Sequence, residues 1–120
     1  MRNVDFAGSG KNFDVYVAQR GHVKEFLDSL AKESRDSMQA VIAEHMDNGP
    51  LRNEEKSREL DDGIYEFKNR QGARVFWFYP KGQRRSTVLT HGCLKPKKSR
   101  LGIEVQRAKD LRDEVMEAGL

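Results

Sequence analysis

The chain has 120 residues and a mass of 13.8 kDa, the size of one domain that buries its own core without staples, so a single domain over residues 1–120 with a core of about 13–117 is expected. Hydrophobic residues make up 37% and charged residues 34%, but the apolar ones are clustered and periodic, which excludes global disorder and leaves a densely charged surface. The net charge is only +3, yet most acids fall between residues 24 and 66, whereas Lys68, Arg70, Arg74, Lys81, Arg84, Arg85, Lys95, Lys97, Lys98 and Arg100 follow with no acid between them, a pattern that suits a polyanion such as nucleic acid or, more plainly, a solvated surface.

Met1 to Asn12 is polar and reads as an irregular lead-in. Phe13 to Val17 alternates as a half-buried strand does, with Phe13, Val15 and Val17 on one face. From His22 the period changes. Val23, Phe26, Leu27 and Leu30 have helical spacing, and Met38, Val41, Ile42 and Met46 continue it until Asn48-Gly49-Pro50 stops the run. The join near Ala31 to Ser34 is read as the turn of a helical hairpin, and His45 as a helix-surface residue. Leu51 to Asp62 has little apolar content and reads as a surface connection with one helical turn around Lys56 to Leu60.

Gly63 to Pro96 organises the rest of the chain. Three β-rich runs are punctuated at Asn69 to Gly72 and at Pro80 to Gly82, which predicts a three-stranded meander. Tyr65 and Phe67 face one side, and Ile64, Glu66 and Lys68 the other. Arg74, Phe76 and Phe78 alternate with Val75, Trp77 and Tyr79, of which Trp77 and Tyr79 are assigned to the core. A basic stretch, Lys95 to Arg100, leads into a last helix whose Ile103, Val105, Ala108, Leu111, Val115 and Met116 are expected to cover the sheet. The layout is β-αα-βββ-α, an α+β domain with a small antiparallel-rich sheet, an N-terminal helical hairpin and a C-terminal helix.

Lys68 and Arg74 flank one turn, and antiparallel pairing brings them close, where two cations repel unless an anion lies between or upon them. His91 and Lys95 end the neighbouring strand and reach the same edge. A phosphodiester fits that need. RNA cleavage through the 2′-hydroxyl requires a base, cations that stabilise the extra charge at phosphorus, and an acid for the leaving oxygen, with no metal. Each candidate has a plainer reading beside it: Lys68 as a solvated strand residue, Arg74 as the ion-pair partner of Glu66, and His91 as a hydrogen-bonded strand-end residue. The lone Cys93 excludes an intrachain disulfide, and His22, His45 and His91 show no metal-ligand spacing, so neither a metal nor a cofactor is expected. Without an N-terminal apolar run, a cytoplasmic protein with no membrane partner is expected.

Asp61-Asp62-Gly63-Ile64-Tyr65-Glu66-Phe67-Lys68, then Gly72 to Phe78, then Val88-Leu89-Thr90-His91-Gly92-Cys93-Leu94-Lys95, and finally Glu104-Val105-Gln106-Arg107-Ala108 stand in an order and spacing that resemble the RelE/HigB superfamily of toxins, and more narrowly its phage-derived HigB-like group. That resemblance spans roughly residues 13–117 and includes the helical hairpin. It implies a RelE-like fold and a metal-independent, ribosome-dependent mRNA endonuclease that inhibits translation. It also implies the toxin of a type II toxin–antitoxin pair, neutralised by a cognate, often helix-turn-helix, antitoxin. On the same ground Lys68, Arg74, His91 and Lys95 are the implied catalytic residues, with Lys97, Lys98 and Arg100 binding RNA. The chain departs from the family's pattern at Ala73, which replaces the family's tyrosine before the second arginine, and at Pro96, which replaces its second lysine. The competing reading is a catalytically silent nucleic-acid- or protein-binding module of the same fold.

Overall fold

The computed structural model describes residues 1–118. In chain order the elements are β1 (Val4–Ser9), β2 (Asp14–Ala18), α1 (Val23–Ser29), α2 (Lys32–Asn48), β3 (Ser57–Asp61), β4 (Ile64–Lys68), β5 (Ala73–Phe78), β6 (Ser86–Leu94) and α3 (Leu101–Ala118). The strands form one six-stranded sheet in the order β1-β2-β6-β5-β4-β3. Every neighbouring pair is antiparallel except β2 with β6. The α+β class and the antiparallel-rich sheet are as expected, but the layout is ββ-αα-ββββ-α. The lead-in Met1 to Asn12 contains an edge strand, and Lys56 to Leu60, expected as a helical turn, lies mostly in the other edge strand.

Both additions follow from turn chemistry. Asp62 and Gly63 have φ of +49° and +76°, the left-handed pair that a two-residue hairpin requires, and so fold Ser57–Asp61 back upon Ile64–Lys68. On the other edge, the Gly10 N–H donates to Phe13 O at 2.9 Å and closes the turn between β1 and β2.

The sheet separates two cores. On one face Val15, Phe67, Val75, Trp77 and Leu89 pack against Val23, Met38, Val41 and Ile42 of the helical hairpin. On the other, Ile64, Phe76, Phe78 and Val88 pack against Ala108 and Val115 of α3. The hairpin forms where expected. Leu30 and Ala31 take extended dihedrals, with ψ of 151° and 148°, and separate α1 from α2 without glycine or proline. Gly92 lets α1 lie directly on β6, because a Cβ there would stand 2.2 Å from a ring carbon of Phe26.

Three side chains depart from their expected places. His45 is fully buried among Phe13, Phe67 and Trp77, with its Nε2 2.9 Å from the Thr87 hydroxyl. It continues the Met38, Val41, Ile42 stripe at the i+7 position and so faces inward. Ile103 is exposed, because it stands two positions before the buried Val105, about 200° around the helix at 3.6 residues per turn. Tyr79, one residue past β5, is exposed, whereas Trp77 is in the core as expected.

Candidate functional site

In the β4–β5 ladder Lys68 pairs with Arg74 and Glu66 with Phe76; across the next strand Arg74 pairs with Cys93 and Phe76 with His91. Directly paired residues share a face, so Lys68, Glu66, Arg74, Cys93 and His91 all lie on the α3 side of the sheet. Arg58 of β3 pairs with Glu66 and joins them. One end of this face is therefore polar, while Ile64, Phe78 and Val88 keep the rest apolar.

Glu66 organises the cations. Its carboxylate is buried, at 1% exposure, and accepts from Arg58 Nε at 2.9 Å through Oε1; its Oε2 lies 3.8 Å from Arg74 Nε. Two guanidinium groups thus flank one acid, which offsets the repulsion expected between Arg74 and Lys68. Arg74, with a side chain 10% exposed, also donates from Nη1 to its neighbour's carbonyl, Ala73 O, at 3.0 Å. Lys68 is half-buried, and its Nζ makes one long contact of 3.4 Å to Glu54 O.

His91 owes its position to a bulge. Phe76 pairs with His91 but Trp77 pairs with Leu89, so Thr90 is an extra residue in β6, its hydroxyl donating to Phe76 O at 3.1 Å. Without that insertion Leu89 and His91, two residues apart, would share a face. With it, Leu89 enters the hairpin core while His91 stacks on Phe76 and meets Glu104 of α3, with Nε2 to Oε2 at 2.9 Å. The ring is 1% exposed, and burial pulls the imidazole pKa below its usual value against the opposing pull of the Glu104 hydrogen bond and charge.

Cys93 lies between Arg74 and Glu104. Burial, then the charge of Glu104, push its thiol up to about 12, so it is not a thiolate at neutral pH and offers no nucleophile.

Lys95 stands at the mouth of this cluster. Its backbone N–H donates to Gly72 O at 2.6 Å and draws the chain after β6 against the β4–β5 turn. Lys68, Arg74 and Lys95 are thereby brought together, while His91 lies deeper beneath Glu104. Lys97, Lys98 and Arg100 follow on the exposed connection to α3, the last two in a single 3-10 turn. None of Lys68, Lys95, Lys97, Lys98 or Arg100 forms an ion pair among the described residues. The far end of α3 is different. There Lys109 meets Asp61 at 2.6 Å and Arg112 meets Asp62 at 3.0 Å, pairing these two cations to the end of β3 and the turn after it.

Reasoning from sequence passed over Arg58 and Glu104. The Asp62-Gly63 pair was the signal for the strand that carries Arg58, and Glu104 sits in the first turn of the helix that follows the basic stretch. Among the described residues there is no cluster of three His, Cys, Asp or Glu side chains that could hold a metal, and no helix is long and apolar enough to cross a membrane.

The family model for phage-derived Gp49-like proteins matches residues 25–113, well over half of the chain and all of the cluster just described. No curated protein sequence matches. Among solved structures, the crystal structure of the isolated E. coli RelE toxin in its P21 form superposes with a TM-score of 0.54 at 13% identity, covering 80% of this chain and 97% of that one. At that identity the likeness is one of fold.

Proposed function

This chain belongs to the phage-derived Gp49-like family, and on that premise we propose that it is the toxin of a toxin–antitoxin pair, a metal-independent endoribonuclease that cuts mRNA on the ribosome in the cytoplasm and is neutralised by a cognate helix-turn-helix antitoxin. The observation that carries this reading is the pairing of Lys68 with Arg74 beside Lys95, three cations among which Arg74 alone meets an acid, the Glu66 it shares with Arg58, at the end of the sheet where the unpaired Lys97, Lys98 and Arg100 begin. A RelE-like fold supports it.

In this reading the RNA backbone enters along Lys97, Lys98 and Arg100, and the scissile phosphate meets Arg74 and Lys68. As the 2′-hydroxyl gives up its proton to a base and its oxygen attacks phosphorus, the P–O5′ bond breaks and the 5′-oxygen takes up a proton, leaving a 2′,3′-cyclic phosphate, and in between negative charge grows on the non-bridging oxygens. A guanidinium engages two of them at once, which favours the transition state over the ground state. Lys95 adds charge on the leaving side. His91 acts as a positioning residue rather than at the phosphate, because its only ring nitrogen that faces α3 is occupied by Glu104. The burial of His91 and the small exposure of Arg74 are what favour the second reading, a silent binding module.

Expression of the chain alone is expected to arrest growth, with translation falling and ribosome-bound transcripts cut, and co-expression of the antitoxin should restore both. Pulse labelling and transcript-end mapping after induction measure this. Undiminished growth with intact transcripts, at confirmed soluble expression, would select the silent module.

A further inference from the structure

Arg58 belongs to no sequence motif noted above, yet it shares an acid with Arg74. The way it does so matters. It reaches Glu66 through Nε at 2.9 Å, so the contact is side-on, and neither of its Nη groups has a hydrogen-bond partner among the described residues. Arg74 likewise turns Nε toward Glu66 at 3.8 Å and places Nη1 on Ala73 O, leaving Nη2 without a partner. A buried carboxylate that met both arginines end-on would consume their forks. Held side-on, it leaves the whole Nη fork of Arg58 and the Nη2 group of Arg74 in reserve on one face, beside Lys68. Arg58 is also the accessible member, its side chain 42% exposed against 10% for Arg74.

We propose that Arg58 is a phosphate-binding residue of this site, that it grips a second phosphate of the RNA backbone next to the one held by Arg74, and that Glu66 is the positioning residue that fixes the two guanidinium groups relative to each other. The ligand class, RNA, rests on the reading under Proposed function, whereas the anion site itself rests on the Arg58, Glu66 and Arg74 geometry. Glu66 is then no general base, since both of its oxygens face arginines and it has almost no solvent contact.

The test is binding of a mixed-sequence single-stranded oligoribonucleotide to the full chain across a salt series, with ribosome-dependent cleavage measured separately. Each phosphate neutralised contributes about 0.7 to the slope of log affinity against log salt for single strands, so Arg58→Ala should flatten the slope by about that amount and weaken binding. Arg58→Lys should restore the slope but only part of the affinity. Arg52→Ala, removing an exposed cation of the preceding loop outside the cluster, should leave the slope unchanged. Glu66→Gln should keep binding, because an acid beside the phosphate is removed, yet lower the cleavage rate, because the arginines lose their common anchor. Melting curves confirm that each variant is folded. An Arg58→Ala slope equal to the parental one, or a parental chain with no salt-dependent RNA binding, would overturn the proposal. A parental chain that binds with the expected slope but cuts nothing would instead overturn the endonuclease reading and leave the anion site standing.

Discussion

Two buried histidines sit on opposite faces of one sheet, and their surroundings differ in the way the faces differ. His45 lies in the hairpin core, stacked 4.5 Å from Phe13, with the Thr87 hydroxyl at Nε2 and no partner at Nδ1 among the described residues. Burial alone drives its pKa down to about 4, so it is a neutral packing residue. His91 is as deeply buried, but its partner is a carboxylate, Glu104, on the helix that frames the cationic cluster. One face of the sheet therefore uses histidine as a core side chain with a single satisfied polar atom. The other couples it to charge. That contrast separates a face whose buried histidine meets only aromatic rings and a hydroxyl from one that carries, beside its own apolar core, a cluster of charged side chains.

The largest effect expected from disturbing this contrast is on the hairpin side. A histidine whose folded pKa lies below its unfolded value leaves the unfolded state holding more protons between those two values, so stability is fully present above about 6.5 and is lost as pH falls toward 4. Linkage puts the loss at roughly 3 kcal/mol. His91 contributes with the same sign. His45→Leu should remove most of this acid sensitivity, as read from urea unfolding at a series of pH values, and an unchanged slope in the variant would mean that other groups set it.

A smaller effect is expected on the α3 side. Glu104→Gln replaces a carboxylate by a neutral acceptor and makes the surroundings of His91 resemble those of His45. The imidazole pKa, followed by NMR, should then fall further below its usual value, because the charge that raises it is gone and the hydrogen bond to a neutral amide favours the imidazolium less. The stability cost should be about 1 kcal/mol, that of one altered hydrogen bond. A pKa that stayed in place would show that the two side chains are not coupled.

How much of this was legible beforehand differs by region for physical reasons. The meander could be read because its strands are buried on both sides and rich in aromatic and β-branched residues, and the face assignment of Arg74, Phe76 and Phe78 against Val75 and Trp77 follows from strict alternation. The two edge strands could not be read from periodicity. Val4-Asp5-Phe6-Ala7-Gly8-Ser9 and Ser57-Arg58-Glu59-Leu60-Asp61 are polar, as sheet edges that must not recruit another chain tend to be, and turn residues were their main signal. The Thr90 bulge was invisible for another reason. A bulge changes which residues share a face without changing composition, so the placement of His91 beneath Glu104 emerges only once β6 is paired with β5. Lys68 and Arg74 were found together because they flank a single turn, whereas Arg58 and Glu104 reach the same cluster from β3 and α3, where no local spacing connects them.

The most direct test of the central claim, that the α3 face holds an RNA phosphate at Arg74, is the single-turnover rate of ribosome-dependent mRNA cleavage by Arg74→Ala and Arg74→Lys beside the parental chain, with circular dichroism and melting to establish that each is folded. Loss of a contact made to the transition-state charge costs about 2–4 kcal/mol, so Arg74→Ala should cut of the order of a hundredfold or more slowly, and Arg74→Lys should recover only part of that, since a point charge does not reproduce a two-pronged contact. A folded Arg74→Ala chain that cut mRNA at the parental rate would contradict the account.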